Sequence, residues 1–488
     1  MDVTKRTVIL FNPRAMRGVG EDAIPPIGLL MAAIHLHEKF NVAIIDQRVE
    51  ANWKARLDDL LSKDPVCMGI SALTGKQIEW GLVASGIAKK AGCPVVWGGI
   101  HASLLPEQTL AHPLVDYVVQ GEGEETFPEL IDALVFDRSC DKIPGVWSKK
   151  DGAPVFGGTR PFVDFPKLPP VPYHLVDLNK YIKPGPYGKT IVFFTSRGCP
   201  QRCTFCFNHT FNQSRWRAFS SERVIEDIKR IQREHPQVQH FEFWDDDFFV
   251  NLKRAKEIAE GITKLDPSIT WSVLGAHVRE AMLMDDAYLT TLKESRLKGI
   301  IVGGESGSQK MIDIIQKNYK LPELFEVNRK FGRFHITPTY SFISGIPGED
   351  DEDIKKSIET MFRLKKENPD AVVGNIKPFV CYPGTALYAK MKDQGFQPPQ
   401  KLEDWIDYVW GNYLALDIPW VPKKRRKRLC WLYFYTVLMN PTYIFIRSKT
   451  FTFFAKLLQP IAEWRVKNFC FRFPIEAWLM YMAQRFLL

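Results

Sequence analysis

The segment Cys199-Pro-Gln-Arg-Cys203-Thr-Phe-Cys206 carries three cysteines at the spacing CxxxCxxC. It follows the apolar, β-branched run 190–195, which predicts a strand that leads into a loop. Three thiolates on one loop can each bind one iron of an iron–sulfur cluster and leave a fourth iron open to an outside ligand. Spacing alone leaves two alternatives open, namely a structural zinc site completed by His209 and three unconnected cysteines.

Length and charge limit the class of protein. A chain of 488 residues predicts two or three domains, because single cores rarely grow beyond about 250–300 residues. The net charge is +9, but the run 423–428 supplies six basic residues and the rest of the chain is nearly neutral, so we expect no nucleic-acid partner. Nine cysteines with one tight cluster argue against a secreted disulfide framework, and the N-terminus shows no signal-peptide pattern. We therefore expect a cytoplasmic protein.

The first 145 residues predict an α/β domain. Short apolar runs alternate with helical patterns, which is typical of an open parallel sheet with helices on both faces, a Rossmann-like fold. Ligands of such sheets bind at the carboxyl ends of the strands, where loops 71–77, 97–103 and 120–124 lie. The dinucleotide fingerprint GxGxxG is absent, so NAD binding is disfavoured.

The rest of the chain divides into three parts. Residues 146–188 are rich in Pro and Gly and predict a linker. Strand and helix signals then alternate through 189–395, as in a complete or partial parallel β/α barrel with its site at the carboxyl ends of the strands. Residues 396–488 predict a helical region in which aromatic and basic residues mix, with no run of about 20 apolar residues that would span a membrane.

These motifs, in this order, resemble the radical S-adenosylmethionine (SAM) superfamily over about residues 5–395. The likeness is to its cobalamin-binding branch, which includes class B methyltransferases and the anaerobic magnesium-protoporphyrin ester cyclase. The resemblance implies that Cys199, Cys203 and Cys206 bind a 4Fe–4S cluster whose open iron is chelated by SAM. One electron, delivered by a flavodoxin- or ferredoxin-type protein, then cleaves SAM to methionine and a 5′-deoxyadenosyl radical, which abstracts a substrate hydrogen.

The same resemblance nominates SAM-binding residues. The second-strand motif 243–248, the segment 304–307 and the text around 276–279 correspond to the family's SAM contacts, although the usual Ala-Arg pair is replaced here by Ala276-His277-Val278-Arg279. The residues so implied are Phe205, Asp246, His277, Arg279, Glu305 and Ser306. A rival interpretation of the three acids 245–247 is that they only cap a helix.

The first domain resembles the family's cobalamin-binding domain. The implied contacts lie in the carboxyl-end loops and are Ser71, Leu73, Thr74, Gln77, Gly98, Gly99, Gly121 and Glu122. The motif DxHxxG is absent after the first strand, where Asn12-Pro13-Arg14 stands, so a bound cobalamin would lack an axial histidine from that loop. The resemblance implies a cobalamin that faces the cluster across the barrel mouth. The alternative is a domain that has kept the fold and lost the cofactor.

The leading functional prediction is C-methylation of an unactivated carbon, with the methyl group taken from methylcobalamin. Oxidative cyclisation or rearrangement is the alternative on the same scaffold, and a non-catalytic corrinoid or iron–sulfur protein is the alternative of another class. The aromatic tail favours a large apolar or lipid-like small molecule as substrate. It also favours peripheral contact of residues 423–488 with the inner face of the membrane, against an ordinary helical subdomain packed on the barrel.

Overall fold

A computed structural model describes residues 6–15, 23–440, 449–476 and 478. It divides the chain into two compact units. The first unit contains the described residues up to Pro184 together with Tyr382–Gly384 and Gln397–Val409, and the second contains the remainder.

The first unit is built on one seven-stranded sheet with the order β2-β1-β3-β4-β5-β6-β7. Strands β1 to β5 run parallel, and β6 and β7 extend the sheet in the antiparallel sense. Residues 8–11 of β1 are at most 1% exposed, as expected of an apolar strand buried on both faces. The strands are β1 (Thr7–Asn12), β2 (Asn41–Asp46), β3 (Cys67–Ser71), β4 (Val95–Gly98), β5 (Tyr117–Val119), β6 (Val146–Lys150) and β7 (Ala153–Phe156). This confirms the predicted Rossmann-like fold.

Helices connect the parallel strands of this sheet. They are α1 (Ile27–Ala32), α2 (Trp53–Leu61), α3 (Lys76–Lys90), α4 (Gly99–Leu104), α5 (Pro106–Ala111) and α6 (Gly123–Val135). Strands β6 and β7 lie within the range predicted as a linker, which therefore begins with two sheet strands. The backbone just after β7 passes close to the segment before β6, because a Cβ at Gly157 would lie 2.1 Å from the carbonyl oxygen of Ile143.

A late segment of the chain, Gln397–Val409, also belongs to the first unit. We call it the return segment. Its Trp405 is fully buried and donates from Nε1 to Oε1 of Gln108 over 2.6 Å. At its end, Asp407 pairs with Nζ of Lys76 at 2.7 Å. The core of the first unit is therefore completed by residues that follow the second unit in sequence.

The second unit is an open half-barrel, which confirms the predicted partial β/α barrel. Its seven-stranded sheet has the order β16-β15-β14-β13-β12-β9-β8, and every pair from β9 to β16 is parallel. A small antiparallel pair, β10 with β11, lies apart from it. The strands are β8 (Lys183–Gly185), β9 (Gly188–Phe193), β10 (Ser196–Arg197), β11 (Arg217–Ala218), β12 (His240–Phe243), β13 (Thr270–Ala276), β14 (Leu297–Glu305), β15 (Thr337–Ser344) and β16 (Val372–Pro378).

Helices of the second unit follow these strands in alternation. This confirms the alternation predicted for 189–395. Helix α13 shows the underlying pattern, since its Leu324, Val327 and Phe331 recur at helical spacing. The helices are α7 (Asn208–Phe211), α8 (Ser221–Glu234), α9 (Leu252–Thr263), α10 (Val278–Met282), α11 (Asp286–Glu294), α12 (Gln309–Ile314), α13 (Leu321–Arg333), α14 (Asp351–Glu367), α15 (Ala386–Asp393), α16 (Lys423–Met439) and α17 (Lys449–Lys467).

The basic run 423–428 forms the first turns of α16, and its arginines face the protein. Arg426 is buried, Arg425 lies 3.4 Å from Asp351, and Arg428 pairs with the same carboxylate. Further along the helix, the N–H of Ile376 in β16 donates to Oγ1 of Thr436 over 3.1 Å. Helix α16 is thus packed on the sheet. No helix among the described residues is both long and apolar enough to cross a bilayer.

Candidate active site

The three cysteines lie on one loop after β9 and β10. Cys203 is buried, whereas Cys199 and Cys206 are half-buried. The loop turns at Gly198, where φ is +88° and a Cβ would lie 2.0 Å from the carbonyl oxygen of Arg215, so that only glycine fits. Its middle is held by Thr204, whose N–H donates to the carbonyl of Ile315 at 3.0 Å. The fold therefore presents three thiols from one fixed loop.

The acids after β12 anchor this loop in three different ways. Asp245 is buried and accepts from the N–H and hydroxyl of Thr195 at 2.7 and 2.5 Å. Asp246 is exposed and accepts from the N–H of Gly198 at 2.8 Å. Asp247 is buried, and the thiol of Cys199 donates to its Oδ2 over 3.7 Å. The helix-cap interpretation fails for all three, because α9 is capped by the side chain of Asn251.

A buried ion pair lies near the thiols. Glu305 ends β14 in the left-handed region, with φ +60°, and accepts from Nζ of Lys317 at 3.0 Å. Burial alone would lower the pKa of Lys317, but Glu305 and the thiols of Cys203 and Cys199 raise it above its usual value. The ammonium also lies 5.8 Å from the ring of Phe205. The site thus contains a permanent positive charge beside its thiols.

That charge bears on the protonation of the cysteines. Burial raises the pKa of all three thiols, that of Cys206 to about 11, while the ammonium of Lys317 counteracts the rise at Cys203 and Cys206. Without metal the thiols are therefore protonated at neutral pH. Iron binding releases those protons, and a neighbouring cation stabilises the thiolates that result.

A third group of side chains comes from the start of α10. Nδ1 of His277 accepts from the N–H of Arg279 at 3.2 Å, and burial, followed by Lys317, lowers the pKa of His277 to about 3. Glu280 accepts from the side-chain amide of Gln201 at 2.9 Å. Burial, followed by Glu280, raises the pKa of Asp247 to about 8. Arg279 itself is exposed. Neutral imidazole and protonated acid are thus the forms favoured here near neutral pH.

These buried groups fit a bound polar ligand. Asp247 Oδ1, His277 Nε2 and Glu280 Oε2 are buried and have no hydrogen-bond partner. Such atoms are rare in folded proteins because each costs a desolvation penalty. Three of them in the group that adjoins Cys199 and Lys317 favour a ligand with charged or hydrogen-bonding atoms over an apolar one. Ser306, in contrast, is buried with its hydroxyl 3.2 Å from that of Ser357, so it is engaged inside the protein.

The zinc alternative finds no support in the geometry. Nδ1 of His209 lies 2.8 Å from the carbonyl oxygen of Cys206, in contact with the backbone of its own turn. Within residues 6–15, 23–440, 449–476 and 478, no three His, Cys, Asp or Glu side chains are placed to hold one metal ion. An iron–sulfur cluster has no such requirement, since each cysteine binds a different iron.

The loop 345–349 after β15 is fastened to the C-terminal part of the unit. Glu349 is buried and accepts from the N–H of Gly345 at 2.5 Å, while Arg425 of α16 lies 3.6 Å from its carboxylate. Trp420 donates from Nε1 to the carbonyl oxygen of Gly345 at 3.0 Å. Burial raises the pKa of Glu349 to about 8. The tail that follows the barrel therefore determines the position of a loop at its mouth.

The residues nominated for cobalamin lie at the carboxyl ends of β3, β4 and β5 in the first unit. Gln77 bridges two loops there, donating to the carbonyl of Pro13 at 2.9 Å and accepting from the N–H of Leu73 at 2.8 Å. Thr74 lies 2.9 Å from Nδ1 of His101, which is fully buried.

Three nominated glycines of this edge differ in the space around them. A Cβ at Gly99 would lie 2.7 Å from Oγ of Ser71, and one at Gly98 would meet nothing closer than 3.6 Å. Gly121 has open space around it, whereas the neighbouring Glu122 is buried and accepts from the N–H of Val163 at 3.0 Å. The exposed side chain of Leu73 and the open backbone at Gly121 fit a large ligand at this edge. The carboxylate of Glu122, in contrast, is engaged by the backbone of Val163.

Comparison with known proteins identifies both units. A model of the Radical SAM superfamily matches residues 193–361, and a model of the B12 binding domain matches residues 13–131. An uncharacterised methyltransferase of Pyrococcus horikoshii, PH0819, is 32% identical over 402 residues, which cover 81% of each chain. The hopanoid C-3 methylase of Methylococcus capsulatus is 26% identical over 371 residues, 74% of this chain and 68% of that protein.

A solved structure gives the same architecture. OxsB, described as a cobalamin-dependent S-adenosylmethionine radical enzyme with aqua-cobalamin and S-adenosylmethionine bound, superposes with a TM-score of 0.69 at 17% identity. The match covers 98% of this chain and 79% of that one. At this level of identity the likeness concerns the fold.

Two domains joined in this order define a cobalamin-dependent radical SAM enzyme. The chain belongs to the radical SAM family whose members carry a B12 binding domain, the family that includes the PH0819 methyltransferase. Its cofactors are a 4Fe–4S cluster, S-adenosylmethionine and cobalamin. The observed thiol loop and the orphaned polar atoms beside it fit the first two of these.

Four side chains of the site could not be predicted individually from the sequence. Asp247 stands in a run of three acids, and only its contact with the Cys199 thiol distinguishes it from Asp245 and Asp246. Gln201 lies between the first two cysteines, at a position whose residue type the motif spacing does not specify. Lys317 and Glu280 have no fixed spacing from the cysteines, so only the fold brings them there.

Proposed function

We propose that this enzyme methylates an unactivated carbon of a large apolar small molecule. The observation that carries the proposal is the fixed thiol loop, with the Lys317 ammonium and three unpartnered buried polar atoms beside it, in a chain that also has a B12 binding domain. When bound, the cofactors supply an electron, a hydrogen-abstracting 5′-deoxyadenosyl group and a methyl group. The protein's own residues bind and orient them.

The roles of the residues follow from their contacts. Cys199, Cys203 and Cys206 would hold the cluster, and Lys317 would stabilise its thiolates by charge. Asp247, His277 and Glu280 would hold the polar end of SAM with their unpartnered atoms. Phe205, Asp246, Arg279, Glu305 and Ser306 stay proposed as SAM contacts. Of these, Asp246 and Glu305 already carry structural bonds, so they would act partly by holding the cysteine loop and Lys317.

The proposed cobalamin contacts are those at the strand ends of the first unit. Leu73 and Gly121 would lie against the ligand, since one is an exposed apolar side chain and the other leaves open backbone. Ser71, Thr74, Gln77, Gly98, Gly99 and Glu122 would shape or hold the loops around it.

Two observations support the proposal of an apolar substrate, namely the aromatic C-terminal region of this chain and the name of one relative. One relative is named as a hopanoid C-3 methylase, and 74% of this chain matches that protein. An external reductant of flavodoxin or ferredoxin type would supply the electron. We place the reaction in the cytoplasm at the inner face of the membrane, because an apolar substrate partitions into the bilayer.

An anaerobic assay tests the proposal. The reconstituted chain, given dithionite, SAM labelled in its methyl group and a lipid extract, is expected to form 5′-deoxyadenosine and a labelled product heavier by one CH₂ unit. Deoxyadenosine without label transfer would select cyclisation or rearrangement instead. An intact cluster that yields no deoxyadenosine would mean a non-catalytic protein.

A cysteine variant separates the two units in the same assay. Cys199→Ala is expected to lose the visible absorption of the cluster and all deoxyadenosine formation while it retains cobalamin. Cys430→Ala, in α16, is the matched control and is expected to retain both cofactors, because that thiol lies outside the cysteine loop. Loss of cobalamin from the folded Cys199→Ala chain would contradict the proposal that the first unit binds cobalamin independently of the cluster in the second.

A further inference from the structure

Apolar side chains are exposed in an unusual concentration near the end of the chain. Among the described residues, thirteen large apolar side chains are more than a third exposed, and six of them lie between Leu457 and Trp478. Monomeric soluble proteins rarely leave contiguous apolar surface uncovered without an interaction to explain it. This concentration therefore calls for a partner.

On α17 the exposed side chains share one face. Leu457, Ile461 and Trp464 are spaced by four and three residues, so they follow one another along the same side of the helix. Ala462 and Val466 are buried and mark the opposite side, which packs against the protein. The helix is thus fixed with an apolar face directed outward.

The residues after α17 extend this apolar surface. Phe473, Ile475 and Trp478 are 83%, 64% and 54% exposed. Their backbone is held by Arg465, which donates to the carbonyl oxygens of Arg472 and Phe473 at 2.9 and 3.1 Å and pairs with Glu476. The exposed rings belong to a fastened segment. We call the six side chains from Leu457 to Trp478 the apolar face.

The charges around the apolar face are mostly positive. Lys456, Lys467 and Arg472 are exposed, and Glu463 is the exposed acid of the same stretch. Exposed Trp and Phe with flanking basic residues are typical of helices that lie in a membrane interface, where indole rings sit at the level of the headgroups. An apolar patch on a partner protein would cover the exposed rings, but it would offer no anionic groups to the surrounding basic side chains.

We propose that the apolar face inserts into the headgroup region of an anionic bilayer and anchors the enzyme there. In the basic run 423–428 the arginines are engaged by the protein, whereas the three lysines are exposed. Within the region 423–488 predicted for membrane contact, α17 and residues 473–478 therefore supply the apolar part of the contact surface. This inference supplies the surface for the proposed membrane location and does not depend on the methyl-transfer chemistry.

Vesicle flotation with the full chain tests the anchor. We expect binding to vesicles of phosphatidylcholine with phosphatidylglycerol, weaker binding to phosphatidylcholine alone, and weakening by salt. The triple variant Leu457→Ser, Ile461→Ser, Trp464→Ser is expected to lower the partition coefficient at least about tenfold. Leu283→Ser, which replaces a 69% exposed leucine elsewhere in the second unit, is the matched control and is expected to leave binding unchanged.

A second readout locates the contact. Quenching of tryptophan fluorescence by brominated lipids is expected in the wild type. It should fall in the Trp464→Phe, Trp478→Phe variant while flotation persists. Absence of wild-type flotation with both lipids, or equal loss in the triple variant and the Leu283 control, would overturn the proposal. So would a dimer in sedimentation velocity that the triple variant dissociates, because a second copy would then cover the face. Deoxyadenosine formation in detergent reports the chemistry independently of every one of these outcomes.

Discussion

At the scale of single residues, the site depends on a buried cation. Lys317 interacts with the carboxylate of Glu305 and with two thiols, and its charge is retained because these neighbours outweigh the cost of burial. A charge in this position has a structural role before any cofactor binds, since Glu305 would otherwise be buried unpaired. The residue that lowers the pKa of the thiols is therefore also one that the fold requires.

Lys317→Met is expected to destabilise the second unit by about 3–5 kcal/mol, because it leaves the Glu305 carboxylate buried without its partner. The free energy of unfolding, measured by urea denaturation of the apoprotein, checks this. Lys320→Met is the control, since that side chain is 70% exposed and its loss should change stability by no more than about 0.5 kcal/mol. A similar effect of the two variants would argue against a structural role for the ion pair.

Glu349 predicts a pH dependence of stability. Its pKa is raised from 4.5 to about 8, so between these values the folded state keeps a proton that the unfolded state releases. Stability should therefore fall as pH rises through this window, by up to about 1.4 kcal/mol per pH unit from this group. Glu349→Gln is expected to remove that slope, whereas Glu359→Gln, at an exposed position on the following helix α14, should keep it. Parallel pH profiles of Glu349→Gln and the wild type would show that Glu349 ionises normally.

At the scale of elements, the site depends on the close approach of β13 to the segment that follows β12. Gly275 in β13 lies beneath the segment of acids that follows β12, and a Cβ there would lie 2.4 Å from the carbonyl oxygen of Asp245 and 2.7 Å from that of Asp246. Both obstacles are backbone atoms, so neither can rotate away. The acids that hold the cysteine loop depend on this missing side chain.

Gly275→Ala is therefore expected to destabilise the second unit by about 1–3 kcal/mol and to reduce the iron bound per chain after reconstitution. Gly86→Ala is the control, because the nearest atom to its added Cβ is 3.8 Å away and its helical position favours alanine. Full cluster loading in Gly275→Ala would mean that the acid segment tolerates displacement.

The alternation of strands and helices could be predicted because it depends on local periodicity. The apolar run of β9 and the one-sided apolar pattern of α8 must be buried in any compact fold, and the cysteine spacing predicts which loop would hold the cluster. Lys317 could not be predicted in the same way, because it is brought to the thiols by the turn after α12 and not by any sequence interval. Strands β6 and β7 were hidden by their shortness and by the glycines that surround them.

At the scale of the whole molecule, neither unit is made from one continuous stretch. Trp405 lies in the core of the first unit, with the ring of His101 at 5.8 Å and Gln108 as its acceptor. No local pattern predicts this, since the contact joins positions about 300 residues apart in sequence. The tail predicted as one helical region thus begins with a segment that completes the B12 binding domain.

Trp405→Ala is expected to destabilise the first unit by about 3–5 kcal/mol and to weaken cobalamin binding. Trp464→Ala removes an exposed indole and serves as the control, with little effect on stability in the absence of vesicles. Thermal unfolding followed by cobalamin release is the measurement. Unchanged cobalamin retention in Trp405→Ala would show that the return segment is dispensable for the cofactor.

The return segment also determines when, during synthesis of the chain, the first unit can complete its core. The last strand of the first sheet ends at Phe156, but Trp405 can fill its place in that core only after the segment ending at Val409 has left the ribosome, 253 residues later (409 minus 156). At about 5–20 residues per second, the early domain waits on the order of 10–50 s with an unfilled pocket. We expect the nascent chain to expose apolar surface of the kind that chaperones bind during that interval, and cobalamin to bind after the return segment has packed into the core.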